Sequence, residues 1–427
     1  MMEIGQSIDN SQIRRKSRDM GIPILDYLLS KIQEISKKEG FNHTLLAVCP
    51  NSLNVLKAAL RAAKRANSPI KFVATLNQVD IDGGYTSWTQ DDLIRKIKEE
   101  SYRIGYEGPI IVAVDHGGPW VKDLQTIERW RLDRCMGWTK RSFEAALLAG
   151  YDLLHIDATV DIYEKNIKIE TVVERTVELI AHVENFRNNK KIKPISYEVG
   201  TEEVHGGLAD ISVFKRFLAL LKDKLTDKQL GYIWPIFIVG KVGTDLHTTT
   251  FDPTTAKIIV DIAKDYGSHI KGHYTDFVSN PEDYPKSGMG AANVGPEFTI
   301  YEYDALLELW QIEEKLYENN RIACRSNFKK ILTQDVLDSN RWRKWLLPGE
   351  NDFDSLSSDR KEWLLKTSSR YVWAKPKVRC AQTQLYKNLK LEGIDAENWL
   401  LLKIEESIDK YFRAFNLINL NKKIQSL

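Results

Sequence analysis

Residues 109–116 read P-I-I-V-A-V-D-H, five small or aliphatic residues in a row that end in an acid and an imidazole. A run of that length is what a strand buried on both faces requires, and such strands occur in parallel sheets covered by helices. Working outward, the same kind of run recurs on both sides. H-T-L-L-A-V-C-P starts at 43, I-K-F-V-A-T-L-N-Q at 70 and L-L-H-I-D-A-T at 153. I-S-Y-E-V-G-T-E follows at 195, W-P-I-F-I-V-G-K at 234, H-I-K-G-H-Y-T-D at 269 and A-A-N-V-G-P-E at 291. Between these runs lie stretches such as V-L-K-A-A-L-R-A-A-K-R-A and K-R-S-F-E-A-A-L-L-A-G, with apolar residues at three-to-four spacing, the helical period. Eight strand-plus-helix units, without a G-x-G-x-x-G after the first strand, predict a closed (β/α)₈ TIM barrel of the α/β class rather than an open doubly wound sheet.

The barrel is expected over 43–322, preceded by a helical segment over 1–42. It is followed by a helical extension over 323–427, rich in Trp, Leu and Lys, that packs on the barrel or on another subunit. With 427 residues and 43% hydrophobic content, the chain has enough apolar mass for a barrel and an appendage. Its 61 basic and 59 acidic residues nearly cancel, so no net field draws it to nucleic acid or a membrane surface, and a small molecule is the expected partner. Cys49, Cys135, Cys324 and Cys380 lack paired C-x-x-C spacing and read as reduced thiols. The first residues carry no apolar signal core and no run of about 18 apolar residues follows, so a cytoplasmic protein is expected.

In a parallel barrel the active site forms at the C-terminal ends of the strands, and polar residues concentrate there. They are Asn77 and Gln78 after the second run, Asp115 and His116 after the third, Asp157 after the fourth and Glu198 in the fifth, with Glu202, Glu203 and His205 beyond it. Lys241, Asp245 and His247 follow the sixth, Tyr274, Thr275 and Asp276 follow His273 in the seventh, and Asn293 and Gly295 mark the eighth. Three imidazoles and a carboxylate converging from separate strands suit a divalent metal with an open position for substrate oxygens. The expected ligands are His116, His247 and His273, with Glu198 as the fourth and His205 as a spare. Each histidine taken singly reads equally as a hydrogen-bonded strand-end residue. His155, inside the fourth run, reads as a core histidine. Zinc is preferred from the histidine count, while Mn²⁺ or Mg²⁺ also suits carboxylate-rich sites. Glycine pairs such as Gly83-Gly84 and Gly117-Gly118 read as tight turns. The segments Tyr274-Thr275 and Asn293-Val294-Gly295 read as backbone donors to a phosphate.

Several of these motifs together resemble the tagatose-bisphosphate aldolase non-catalytic subunit family. They are Ala47-Val48-Cys49-Pro50, Asn77-Gln78-Val79 with Gly83-Gly84-Tyr85-Thr86, Asp115-His116 with Gly118-Pro119, and His155-Ile156-Asp157-Ala158. Gly200-Thr201-Glu202, His273-Tyr274-Thr275-Asp276, Val294-Gly295-Pro296 and the late Ser369-Arg370-Tyr371-Val372-Trp373 belong to the same set. The resemblance runs from about residue 45 to the end. It implies kinship with zinc-dependent class II ketose-bisphosphate aldolases, in which an Asp-His pair ending the third strand supplies a proton-transfer acid and a metal ligand, here Asp115 and His116. Glu198-Val199-Gly200 matches the fifth-strand Glu-x-Gly, and Asn293-Val294 the eighth-strand Asn-Val. Where the family has D-H-L-G-P-N this chain has Asp115-His116-Gly117-Gly118-Pro119-Trp120, and the loops after the fifth and sixth strands also diverge, which bears on the identity of the sugar.

Three functional readings follow from the resemblance. The first two are enzymes acting on phosphorylated ketoses of the fructose and tagatose type: a 4-epimerase, or an aldolase with retro-aldol chemistry. In both, Asp115 or Glu198 moves the C4 hydroxyl proton. The third is a non-catalytic subunit that stabilises a separate catalytic class II aldolase. The enzyme readings are placed first, and a homo-oligomer is expected.

Overall fold

The computed structural model describes residues 12–200, 208–245 and 247–426. Eight parallel strands close into one barrel in sequence order: β1 Leu45–Val48, β2 Ile70–Thr75, β3 Ile110–Gly117, β4 Leu153–Ile156, β5 Ser196–Gly200, β6 Phe237–Val239, β7 His269–Gly272 and β8 Ala291–Val294. Closure comes from β1 pairing with β8, Leu45 opposite Ala291 through Val48 opposite Val294. The barrel expected from the alternating runs is therefore present, with a strand in each of the eight runs. Nearly every strand residue is buried, because the interior is filled by side chains and the outer face is covered by helices.

The crossover helices begin and end where local chemistry dictates. Ser52 caps the helix Leu53–Ala66 through its side chain. Thr89 and Asp92 form a reciprocal capping box at the start of Gln90–Ile104, which satisfies amides that have no partner inside the helix. At the N-terminal face of the barrel the helix Gln12–Asp19 delivers Arg14 as a plug. Its guanidinium grips Asp152 through two bonds of 2.6 and 2.8 Å and donates to the Ile110 carbonyl at 2.7 Å.

The eighth crossover helix, Pro296–Glu318, is followed by further helices that return to the barrel. Helix Ala396–Ala414 packs against Leu53–Ala66 and Pro296–Glu318, and its Glu405 receives Arg61 and Arg65. One hydrophobic core runs from the strands into this extension without a break. Two short turns of the extension, Arg341–Trp345 and Ser369–Tyr371, reach the C-terminal mouth of the barrel. Among the described residues no helix is long and apolar enough to cross a membrane.

Candidate active site at the barrel mouth

The end of β3 sets the geometry. Successive side chains of a strand point to opposite faces, so Asp115 and His116 could not both face the mouth on a regular strand. The register against β4 shifts between Val114 and Gly117, and His116 takes a left-handed backbone conformation with φ of 49°. This irregularity re-aims His116 so that both side chains line one cavity, a common use of a bulge beside an active site. The two glycines that follow permit close approach rather than a turn with positive φ. A Cβ on Gly117 would stand 2.3 Å from the Phe143 ring, and one on Gly118 would stand 1.5 Å from the Asp157 carbonyl oxygen. Gly118→Ala is accordingly expected to cost about 3 kcal/mol or more, because backbone must move. Its urea-unfolding midpoint against that of the parent protein measures this.

Around Asp115 the barrel interior assembles a dense polar group. Ligand atoms of Asp115, His116, His155 and His273 all lie within 4.8 Å of one another. His273 Nε2 stands 3.6 Å from both Asp115 Oδ1 and Glu198 Oε1, too far for hydrogen bonds. It is buried without a partner, as is His155 Nε2. His155 Nδ1 accepts the His116 amide at 3.1 Å and lies 3.2 Å from Glu198 Oε1. Behind the cavity, His116 Nδ1 meets Asp157 Oδ2 at 2.6 Å, and Asp157 Oδ1 is in turn held by the Thr159 hydroxyl and amide at 2.5 and 3.1 Å. An imidazole held through Nδ1 by a carboxylate presents Nε2 to whatever it binds, the usual arrangement behind a metal-bound histidine.

Two buried lysines set the electrostatics. Lys271 lies 3.0 Å from Asp115 Oδ1 and 2.5 Å from Glu198 Oε1. Lys71 lies 3.4 Å from Glu198 Oε2, with its ammonium over the Phe237 ring. Burial, the largest single influence, would raise the Asp115 and Glu198 carboxyls, but Lys271 together with the surrounding imidazoles and, for Glu198, Lys71 outweighs it, and both are held well below the usual carboxylate range. Burial, reinforced by Lys271, pushes the His273 imidazole down to about 3, so at neutral pH it keeps a free lone pair. For His116 burial works the same way, but Asp115 and Asp157 prevail and raise it.

The structure brings together only part of the expected set. Asp115, His116 and His273 converge, and His155, read as a core histidine, stands among them. His247 does not join them: β6 ends at Val239, so this residue lies out on the following loop, where its ring stacks on Trp363 at 5.1 Å. Glu198 sits under the cluster, engaged by both lysines. Asp157, expected as a substrate contact, is buried behind His116. Asn77, Gln78, Tyr274, Asp276, Asn293 and Gly295 line the cavity of about 160 Å³, and Asn293 Nδ2 donates to Asp115 Oδ2 at 3.0 Å. The Gly295 amide, however, is spent on Asp276 Oδ1 at 2.9 Å, as is that of Glu297 at 2.7 Å, so this helix start is capped by the protein's own carboxylate. Thr275 is fully buried and does not line the cavity, nor does Lys241, whose carbonyl accepts the Ala209 amide. Glu202, Glu203 and His205 lie outside the described residues.

Sequence reasoning missed Lys71 and Lys271, although each interrupts an apolar strand run and so announces an inward-facing charge. It also missed the contribution of the extension, which lines the cavity with Arg341, Lys344, Trp345, Arg370 and Tyr371.

Comparison with known proteins identifies the family. Residues 29–402 match the family described as D-tagatose-1,6-bisphosphate aldolase subunit GatZ/KbaZ-like. A protein of Escherichia coli named D-tagatose-1,6-bisphosphate aldolase subunit GatZ is 26% identical over 381 residues, spanning 84% of this chain and 87% of its own length. One of Shigella boydii with the same name is 25% identical over the same spans. A crystal structure from Sinorhizobium meliloti, described as a probable tagatose 6-phosphate kinase, superposes with a TM-score of 0.71 at 20% identity, covering 87% of this chain and all of that one; it shares the fold. With nearly nine-tenths of its length matched, the chain belongs to the D-tagatose-1,6-bisphosphate aldolase subunit GatZ/KbaZ-like family.

Proposed function

We propose that this chain is a subunit of an aldolase for phosphorylated ketoses of the tagatose type, working beside a separate catalytic class II chain, and that its own barrel mouth holds a divalent metal and a phosphorylated ketose. The names of its relatives favour the subunit reading over the stand-alone enzyme placed first from the sequence. The observation that carries the site is the convergence of Asp115, His116, His155 and His273, two of whose imidazoles have a buried nitrogen without a partner.

These residues fit a metal. Ligands about 2.0–2.2 Å from Zn²⁺ sit at most about 4 Å apart, so a group already within 4.8 Å needs its widest pair to close by roughly 0.8 Å, which side-chain rotation supplies. His155 would then carry its proton on Nδ1 toward Glu198, in place of the bond it accepts from the His116 amide, and present Nε2. A divalent cation at this position supplies Lewis-acid polarisation of a ketose carbonyl. The chain's own groups do the rest. Lys271 and Asn293 keep Asp115 ionised and oriented as a proton acceptor for a sugar hydroxyl, and the turns of the extension cover the mouth and exclude water.

That proton-handling apparatus supports a second reading, a ketose-phosphate 4-epimerase active alone, because desolvated ionised groups destabilise a fold that has no use for them. Mixing the purified chain with the catalytic aldolase of its organism separates the two. The subunit reading expects co-elution and a more stable or faster aldolase, with no turnover by the chain alone. Conversion of fructose 6-phosphate by the isolated chain, without co-elution, would replace it with the epimerase. As a check on the site, Asp157→Asn is expected to weaken metal affinity by about 10–100-fold through loss of the orienting carboxylate, read by competition with a chromogenic chelator.

A further inference from the structure

The strongest unexplained feature of the cavity is a buried cation that forms no ion pair among the described residues. Arg370 is 6% exposed, yet its ion-pair partner is absent among the described residues. Its Nη2 donates to the Tyr371 hydroxyl at 3.1 Å, its Nη1 is buried with no hydrogen-bond partner, and its guanidinium lies 5.0 Å from the Trp345 ring centre. A desolvated guanidinium left partly unbonded is costly, and an anion supplied from outside removes that cost. Tyr371 points the same way. Its oxygen accepts from both Arg370 and Trp345 Nε1, the latter at 3.2 Å, so its own O–H is left to donate.

The neighbouring charges extend the pattern. Arg341 and Lys344 line the same cavity and share one carboxylate, Asp123, with Lys344 at 3.1 Å from Oδ1 and Arg341 on Oδ2. Arg341 also keeps a buried Nε without a partner and lies 4.2 Å from the Tyr371 ring centre. Three cations against Asp123 leave two positive charges. Asp276 also lines the cavity but is capped onto two backbone amides, and burial raises its carboxyl to about 7, so it offsets them only in part. A phosphate monoester carries about −1.5 to −2 at neutral pH and three acceptor oxygens, which matches two charges and several free donors better than a carboxylate does.

We propose that Arg370 and Tyr371, assisted by Arg341 and Lys344, form the phosphate-binding subsite of the barrel mouth, built by the C-terminal extension and not by the loops after β7 and β8. The assignment deepens the sugar-phosphate reading of this cavity and rests on it. It explains how the chain binds a phosphate although the Gly295 and Glu297 amides, where a barrel often holds one, are already occupied by Asp276.

The test uses the full chain in excess chelator, so neither metal binding nor a catalytic partner enters. Calorimetric titration compares inorganic phosphate, fructose 6-phosphate, fructose and a hexuronate. The expected result is binding of both phosphate ligands, none of fructose, and hexuronate no better than fructose. Arg370→Gln should lose about tenfold or more in phosphate affinity, the range for a charge-assisted hydrogen bond, and the half-exposed Lys344→Gln about threefold. Arg341→Gln provides an independent reading should Arg370→Gln fold poorly. No phosphate binding by the parent protein, or parent-like affinity in both Arg341→Gln and Lys344→Gln together with any folded Arg370→Gln, would overturn the assignment. Preference for the hexuronate would give the subsite to a carboxylate and overturn it as well. Loss of the metal or of the aldolase partnership would leave these titrations unchanged, so the two failures are distinguishable.

Discussion

Replacing His116 by alanine is expected to abolish stoichiometric metal binding while the barrel remains folded. Two effects add. The ligand itself is lost, and Asp157, which makes a 2.6 Å bond to His116 Nδ1, no longer orients anything. Since losing only the orienting partner of a metal-bound histidine costs about 10–100-fold in affinity, losing the histidine should cost more than about 100-fold. Solubility and secondary structure should persist, because His116 sits at the mouth, beyond the apolar layers of the barrel. Elemental analysis and circular dichroism on the same sample check both halves. Parent-like metal content would remove His116 from the ligand set.

Lys271→Met is expected to give the largest loss of stability of any single change at the site. The ammonium is wholly buried and is the closest cation to both Asp115 and Glu198. Methionine fills similar volume, so packing is nearly conserved and the electrostatic effect stands alone. Two desolvated carboxylates would be left with Lys71, 3.4 Å from Glu198, as the nearest remaining ammonium, and removing one partner from a buried ion pair costs about 3–5 kcal/mol. Chemical denaturation should show the midpoint falling with little change in slope. A partial recovery at low pH, where the stranded carboxyls protonate, would mark the loss as electrostatic. A loss below about 1 kcal/mol would mean that water reaches the cluster and screens it.

How far the sequence disclosed this arrangement depended on how local each signal was. The barrel was legible because each strand is an apolar run bounded by polar residues, and eight such runs alternating with helical periods admit few closures. Asp115, His116 and His273 were legible because they end strands. His155 was not, since it sits inside L-L-H-I-D and was assigned to the core; its alternation with Asp157, two residues on, places both on the inward face and was the available clue. His247, expected beside them, lies apart on a loop, because β6 is only three residues long and ends at Val239. Residues 341–371 reach the mouth only through tertiary packing of the extension, and no period or spacing encodes that return. Gly295 shows a different limit: a free amide at a helix start looks like a phosphate site until the neighbouring Asp276 is seen to cap it.

The central claim is that the barrel mouth holds a divalent metal on His116, His155 and His273, with Asp115 beside it. The most direct test is zinc content and affinity in the parent chain, His155→Ala and His247→Ala, measured side by side. The account predicts one zinc per parent chain, loss of it in His155→Ala and full retention in His247→Ala. A parent chain that binds no metal, or a His155→Ala that keeps it while His247→Ala does not, would contradict the site as described.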